Sequence, residues 1–456
     1  MHGFKPGVSC RFEKMMQRSW SRVFALTMGL PLVLVMLVAC GSGTGGSGGN
    51  TPPAGSTTIK IATELPVSGK SASYGKGVED GAHLAVDQAN AHHTIPGYTL
   101  VFDPKDDVGP TGLPDLSVGV QNVTSLIGDA LVAGIVGPFT SSTAKAEMPI
   151  ANQAPIAIIS PANTNPCLTK QTAESGCSGS NDLIPTLRPT GKVTYFRIAT
   201  TDDHQGPAGA DYLYKTLHLS KAYVIDDTST YGLGIANAFI KAFMADGGTI
   251  LGHSSEPETT TSYTALLTQV ASKHPDVIYF GGIDVTGGTL IRQQMQQVAG
   301  LKNLPFAGGD GILSPSFAST IGLTGGPAYG TVAVVDTTTN ASAAAFRSEF
   351  TAIYGNDLNV YSAAAYDCTN ILIQAIKTAL AHGAHTPRNA NDAAGAKSFR
   401  QAVIDALKST SYEGITGHQA FDANGDTTNK IISIYKLAAN TSGKPDWILA
   451  DQVTVS

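Results

Sequence analysis

Leu131-Val132-Ala133-Gly134-Ile135-Val136-Gly137-Pro138 is the stretch on which the fold class turns. Its first six residues carry no polar side chain, are too few for a helix, and are stopped by Gly-Pro. Such a run reads as a strand buried on both faces, as in a parallel sheet. The flanks repeat the theme. Upstream, Ile59-Lys60-Ile61-Ala62 reads as a strand. Val78, Ala82, Ala85, Val86 and Ala89 then recur at helical spacing and predict an amphipathic helix over 75–91. Residues 99–102 read as a strand, and Leu116, Val120, Val123 and Ile127 mark another helix. Downstream, a helix is expected over 141–153 and a strand over 156–159. A second series starts near Thr194: strand Ala222-Tyr223-Val224-Ile225, helix 232–246, strand Val277-Ile278-Tyr279-Phe280, helix 286–298. The last hundred residues are less regular, with helical patterns over 342–354, 363–382 and 396–408 and a strand at Ile431-Ile432-Ser433-Ile434-Tyr435. Strand–helix alternation predicts an α/β fold with right-handed crossovers and parallel sheets covered by helices. Roughly 400 residues exceed what one core usually serves, so two series predict two similar lobes. Ligands of open α/β sheets bind at the carboxyl ends of the strands, which places the site in the cleft between lobes.

The amino-terminal segment stands apart. Arg11, Lys14, Arg18 and Arg22 precede 17 uncharged residues, 23–39, which end Leu37-Val38-Ala39-Cys40. A basic region, an apolar stretch and small residues before a cleavage point make a secretory signal. A cysteine at the first mature position resembles a bacterial lipoprotein signal, in which the thiol takes a diacylglyceryl group. A simple anchor helix is the other reading, although 17 residues that include Gly29 and Pro31 are short for a bilayer. Either way the body works on the outer face of the cell membrane. Residues 1–39 are thus expected to be a signal peptide, and 40–56 a lipidated Cys40 with a Gly/Ser-rich linker reaching roughly 20–25 Å.

Past residue 39 the chain holds 24 basic and 34 acidic residues, a net charge of −10. This balance argues against nucleic acid and against electrostatic adhesion to anionic lipid. No second long apolar run follows Cys40. Cys167 and Cys177 lie ten apart in a polar loop. A disulfide there would contribute roughly 2–3 kcal/mol in an oxidising compartment; two free thiols are the alternative. No metal ligands accompany them. Cys368 reads as a small buried apolar residue.

Several apparent motifs fail. Gly45-Gly46-Ser47-Gly48-Gly49 matches a nucleophile elbow but sits in the linker, without strand or helix. Gly69-Lys70-Ser71 resembles the end of a phosphate loop, yet Glu64 replaces the leading Gly. Gly232-Leu233-Gly234 lacks the third glycine of a dinucleotide fingerprint. Asp422-Ala423-Asn424-Gly425-Asp426 starts like a calcium loop, but Thr427 and Ser433 replace the Gly and the bidentate Glu. A β-turn is expected there. No Ser/His/Asp or Cys/His set assembles from spacing, so no enzyme is expected.

Pro66-Val67-Ser68-Gly69 and Tyr74-Gly75, Gly137-Pro138-Phe139-Thr140-Ser141-Ser142-Thr143 and Ile159-Ser160-Pro161-Ala162-Asn163-Thr164-Asn165-Pro166 form an ordered set of motifs. It continues with Phe196-Arg197, Gln205-Gly206-Pro207, the stretch 226–232 from Asp226 to Gly232, Tyr279-Phe280-Gly281-Gly282, Gly308-Gly309-Asp310-Gly311 and Phe421-Asp422-Ala423-Asn424-Gly425-Asp426. The series resembles leucine/isoleucine/valine-type periplasmic binding proteins, the type I solute-binding components of ABC importers. The resemblance spans nearly the whole mature chain. It implies two Rossmann-like lobes joined by a three-crossover hinge, with lobe one formed by 57–201 and 335–430 and lobe two by 202–334 and 431–456. It also implies capture of an amino acid or related small polar solute for ABC permease subunits, with no cofactor, no metal and a monomeric state. A sensor or chemoreceptor partner of the same fold and a secreted hydrolase are the other readings.

Site residues follow from the resemblance and from chemistry together. Ser141 opens a helix after a strand, where N–H groups and a hydroxyl favour an anion; an ordinary N-cap is the other reading. Ala162 and Thr164 follow the next strand and match positions that hold carboxylate and ammonium groups. Asp310 matches the family's ammonium-pairing acid, against a plain surface turn. Tyr74 and Tyr231 match the aromatic residues that flank the ligand, against core rings. Asp202 lies near a lobe crossover and is placed at the cleft. Ile283 stands where the family often has an aromatic residue and is followed by Asp284, so a lost ring or an added acid would alter the side-chain pocket. A cell-fractionation test follows for the amino terminus. Cys40→Ala moves the protein from the membrane to the soluble fraction; a mature-length product still on the membrane contradicts lipidation.

Overall fold

The computed structural model describes residues 55–355 and 358–455. The expected signal peptide 1–39, the expected lipid site Cys40 and nearly all of the expected linker 40–56 lie outside the described residues.

The first sheet is parallel throughout. Its strands are β1 (Thr58–Leu65), β2 (Thr99–Asp106), β3 (Val132–Val136), β4 (Ala157–Ser160) and β5 (Tyr195–Arg197), in the order β2-β1-β3-β4-β5. Every residue of β3 and β4 is buried, as an uninterrupted apolar run at the centre of a two-faced sheet requires. The crossover helices are α1 (Ala72–Ala91), α2 (Leu116–Gly128), α3 (Ser141–Gln153) and the short α4 (Ile184–Leu187). The Asp115 side chain caps α2 by accepting from the N–H groups of Ser117 and Val118, which satisfies donors the helix cannot pair internally.

α5 (Asp202–Asp211) carries the chain to the second sheet, which comprises β6 (Lys221–Asp226), β7 (Thr249–Ser255), β8 (Val277–Gly281), β9 (Phe306–Gly308) and β10 (Ala328–Val332). Between them run α6 (Thr230–Ala245), α7 (Thr264–Ala271), α8 (Gly288–Met295) and α9 (Pro315–Ile321). These five strands are parallel. Two later strands, β13 (Ile431–Ala439) and β14 (Pro445–Thr454), extend the sheet antiparallel, giving β14-β13-β10-β9-β8-β6-β7. Phe239 of α6 stacks flat on Tyr279 of β8 with ring centroids 3.8 Å apart.

The chain then returns to the first sheet as α10 (Ala344–Tyr354), α11 (Ser362–Ala381) and α12 (Ala393–Leu407), followed by the small hairpin β11 (Tyr412–Gly414) and β12 (Gly417–Gln419). α11 lies against α1. Gly81 permits the approach, since a methyl there would sit 2.2 Å from the Ser362 carbonyl oxygen. Arg400 of α12 donates to the carbonyls of Ile127 and Asp129 at 3.1 and 2.7 Å, closing the carboxyl end of α2. The chain ends in the second sheet with β13 (Ile431–Ala439) and β14 (Pro445–Thr454). It therefore passes between sheets three times: from β5 to α5, from β10 to α10, and from β12 to β13.

One ion pair sits at these passages. Arg197, at the end of β5, is completely buried, and its Nε donates to Asp426 Oδ1 at 2.7 Å. Its Nη1 donates to the carbonyls of Asn163 and Asn165 at 3.2 and 2.8 Å, and its Nη2 to Thr169 Oγ1. The guanidinium thus holds the loop after β4 to the turn at 422–426. That turn is closed by Asp422 Oδ1, which accepts from the N–H groups of Asn424 and Asp426. Among the described residues no group of three or more His, Cys, Asp or Glu side chains is placed to hold a metal ion. No described helix is long and apolar enough to cross a membrane. Cys167 and Cys177 are disulfide-bonded, with Cα atoms 5.0 Å apart, and Cys368 is buried. Removing one partner of a buried ion pair strands the other charge and costs about 3–5 kcal/mol. Asp426→Ala is expected to lower unfolding stability by that amount in urea denaturation; a loss under about 1 kcal/mol, the worth of an exposed pair, contradicts this role.

Candidate functional site

A cavity of about 610 Å³ lies between the carboxyl ends of the two sheets. This is within the range of small-molecule sites. One wall comes from the first sheet: Phe139, Thr140, Ser141, Ser142, Lys145 and Ala146 at the start of α3, Ala162 after β4, and Leu113, Pro114 and Leu116 before and in α2. The opposite wall comes from the second sheet: the segment from Asp227 through Tyr231 at the start of α6, Glu258 and Thr259, Ile283 and Thr286, and Asp310.

Two helix amino termini meet at this cavity. Thr140, not Ser141, is the N-cap of α3, and its side chain accepts the Thr143 N–H. Ser141 is therefore the first helical residue. Its hydroxyl accepts from the Asn165 N–H at 3.4 Å and lines the cavity. Across the gap, Ser229 caps α6, and the Thr230 N–H donates to Ser142 Oγ at 3.2 Å. Both helix ends carry positive partial charge and unpaired N–H groups, which suits a carboxylate.

Asp310 supplies the opposite charge. It follows β9, lines the cavity and is 7% exposed. Oδ1 accepts from Gln205 Nε2 at 2.7 Å and from Tyr231 Oη at 3.0 Å, and the neutral Tyr361 hydroxyl lies near the same carboxylate. Burial raises its pKa, while these three neutral groups pull it down. Asp202, on the first turn of α5, is fully buried behind it. Burial first, and the charge of Asp310 second, push the Asp202 carboxyl well above its usual range, opposed by the Thr164 hydroxyl. A cation beside these acids would favour their ionised forms.

Ser141, Ala162, Tyr231, Ile283 and Asp310 thus line the cavity, while Tyr74, Thr164 and Asp202 do not. The Ala162 N–H is already engaged by Ser160 Oγ at 3.2 Å. Thr164 is buried, and its carbonyl accepts the Asp202 N–H at 2.8 Å. Tyr74 of α1 is buried against Phe139 with ring centroids 5.5 Å apart. Its hydroxyl donates to the Gly311 carbonyl and accepts the Asp284 N–H, so it ties the two halves beside the cavity. The acid at Asp284 does not enter the pocket. The hydroxyls of Ser314 and Ser316 donate to its Oδ2, and burial raises its pKa. Asp227 stands within the motif stretch 226–232 but was given no role of its own. It accepts from the Ser229 N–H and hydroxyl at 3.0 and 2.6 Å and from Thr286 Oγ1 at 2.6 Å, and so orders the second wall. An Asp two residues before an N-cap Ser is the local signal that would have found it. Gln205 stands in the motif Gln205-Gly206-Pro207 but was given no role, and nothing in the spacing marks Tyr361.

Behind α3 lies a buried acidic cluster. Glu64, Asp107 and Glu147 are fully buried. Burial raises Glu64 to about 7, opposed by the Asn122 amide, which donates to its Oε1 at 3.2 Å. Burial and then the charge of Glu64 raise Asp107 to about 8, and the same two causes lift Glu147 well above its usual range. Thr143 of α3 donates to Asp107 Oδ2 at 3.3 Å. In the unfolded chain these groups lose their protons near pH ~4. Between there and about pH 7–8 the folded state holds more protons, so stability falls as pH rises. Melting temperatures measured from pH 4.5 to 8 are expected to decline, and Glu147→Gln to flatten the decline; an unchanged slope in that variant removes the cluster from the account.

A family profile described as "Periplasmic binding protein" matches residues 58–443. The chain is 28% identical over 389 residues to the Leu/Ile/Val-binding protein BraC3 of Rhizobium johnstonii, covering 85% of this chain and 94% of that one. It is similar in structure to the leucine-binding protein LivK of Thermotoga maritima, with a TM-score of 0.70 at 22% identity, covering 87% of this chain and 99% of the other. It also resembles a solute-binding protein of an ABC transporter from Rhodopseudomonas palustris, solved with 3,4-dihydroxybenzoic acid, with a TM-score of 0.67 at 19% identity, covering 88% and 98%.

Proposed function

The chain belongs to the periplasmic binding protein family, and on that premise we propose that it captures a small amino acid outside the cytoplasm and presents it to an ABC permease. The observation that carries this reading is Asp310: a desolvated carboxylate on the cavity wall whose side-chain partners are all neutral. A buried charge of that kind is costly unless it is paired, and a ligand ammonium is the natural partner. The facing starts of α3 and α6, with the Ser141 hydroxyl, take the ligand carboxylate. The apolar side chains of Leu113, Pro114, Leu116 and Ile283 on the same cavity suit an aliphatic side chain, in keeping with the name of the Rhizobium relative.

The mechanism is hinge closure. Lobe one, residues 57–201 with 335–430, receives the ligand. Lobe two, 202–334 with 431–456, swings onto it and adds Asp310 and Tyr231. Binding energy available only in the closed state shifts the population toward closure. Tyr74, Thr164 and Asp202 act from behind the cavity wall, Tyr74 by tying the lobes and Asp202 by holding Thr164. No chemical step is involved. The protein acts as a monomer, tethered through lipid on Cys40.

A thermal-shift screen of the full chain against amino acids identifies the ligand, because binding raises apparent stability by mass action. Asp310→Ala is then expected to weaken binding of that amino acid by roughly 2–5 kcal/mol in calorimetry, since the ammonium loses its partner in a desolvated cleft. An unchanged dissociation constant refutes the role of Asp310.

A further inference from the structure

Asn165 ends the loop that follows β4 and is 5% exposed. Its amide is held from both sides. Oδ1 accepts the Cys167 N–H at 2.9 Å, and Nδ2 donates to the Thr230 carbonyl at 2.7 Å. Thr230 is the first residue of α6, on the second sheet, so this bond crosses between the halves. Gly234, one turn further along α6, faces the same amide: a methyl built on it would sit 2.5 Å from Asn165 Nδ2. Gly234 belongs to Gly232-Leu233-Gly234, the pair that fails as a dinucleotide fingerprint, and clearance for Asn165 accounts for it. Two turns on, Lys241 Nζ donates to the Glu174 carbonyl at 2.8 Å. Glu174 lies inside the loop that the Cys167–Cys177 disulfide closes. From Thr230 to Lys241 a strip of α6 about 16 Å long is thus gripped by the segment that directly follows Ala162 and Thr164. At the crossover the same loop is fixed by the ion pair of Lys170 with Asp203, 2.9 Å long, on the first turn of α5.

We propose that Asn165 is a positioning residue that couples ligand capture to closure, docking on the Thr230–Gly234 turn of α6 when the halves meet. This rests on the amino-acid-binding reading above. The loop that faces the ligand on one side carries, on its other end, the group that recognises the second lobe. An ordered loop therefore favours closure, and closure orders the loop. Asn165 reaches no ligand in this scheme and acts only through the loop and α6.

Gly234 makes the idea testable without unfolding the protein. Alanine is the better helix former, so Gly234→Ala leaves α6 at least as stable while its methyl opposes the docked amide. The full chain is titrated with L-leucine, L-isoleucine and L-valine by calorimetry and by stopped-flow dissociation. In parallel, nitroxide labels on Lys273→Cys and Ser409→Cys report the distance between the halves without ligand. Gly234→Ala is expected to weaken binding at least tenfold, mainly through faster dissociation, with no fall in the melting temperature of the free protein and with longer label distances. Removing the amide relieves the clash, so Asn165→Ala with Gly234→Ala is expected to bind no worse than Asn165→Ala alone. Wild-type affinity and distances in Gly234→Ala, or losses that simply add in the double variant, overturn the proposal. If the unsubstituted protein binds none of the three amino acids, the ligand assignment fails, and the label distances alone decide the coupling: an unchanged distribution in Gly234→Ala sinks it.

Discussion

A carboxylate removed from water and given only neutral partners is the constraint around which this molecule is arranged. Asp310 accepts hydrogen bonds from Gln205 on α5 and Tyr231 on α6, and the neutral Tyr361 hydroxyl of the opposite half lies near it. Those bonds offset part of the desolvation cost but add no positive charge. In the proposed function a ligand ammonium supplies the remaining deficit. Closing the cleft around a zwitterion would complete both ends at once, since the helix starts of α3 and α6 face the same space.

The rest of the architecture keeps that arrangement in register. Arg197 and Asp426 lock the loop after β4 to the turn before β13, so the Ala162–Asn165 segment is presented from a rigid base. Tyr74 ties α1 to the segment around Asp284 and Gly311 on one flank of the cavity. Asn165 does the same with α6 on the other. In the proposed mechanism, binding and closure draw on one set of contacts.

The parts of this fold legible in the sequence are those where burial is symmetric. β3 and β8 are unbroken apolar runs, and α1 and α11 show long helical spacing, because both faces or one whole stripe must be dry. β14 was invisible because it is an edge strand in which only Trp447 is buried, so polar and apolar residues mix without a period. β9 and β10 are short and contain Gly308 and Gly330, so no period develops. α5 hid for a functional reason: Asp202 and Gln205 are buried polar groups serving the acid network, where a pattern reader expects apolar ones. At the site, Asp310, Ser141, Ala162, Tyr231 and Ile283 were within reach through motif order. Between the two alternatives after Gly282, a lost ring or an added acid, the sequence could not choose, because the two serine hydroxyls that claim Asp284 lie 30 and 32 residues further on.

The central claim is that a ligand ammonium completes the buried charge of Asp310, and one comparison tests it most directly. The full chain is titrated by calorimetry with L-leucine and with 4-methylpentanoate, the same molecule without its amino group. L-leucine is expected to bind at least a hundredfold more tightly. Equal affinity for the two would show that the amino group meets no charge in this cleft and would contradict the account.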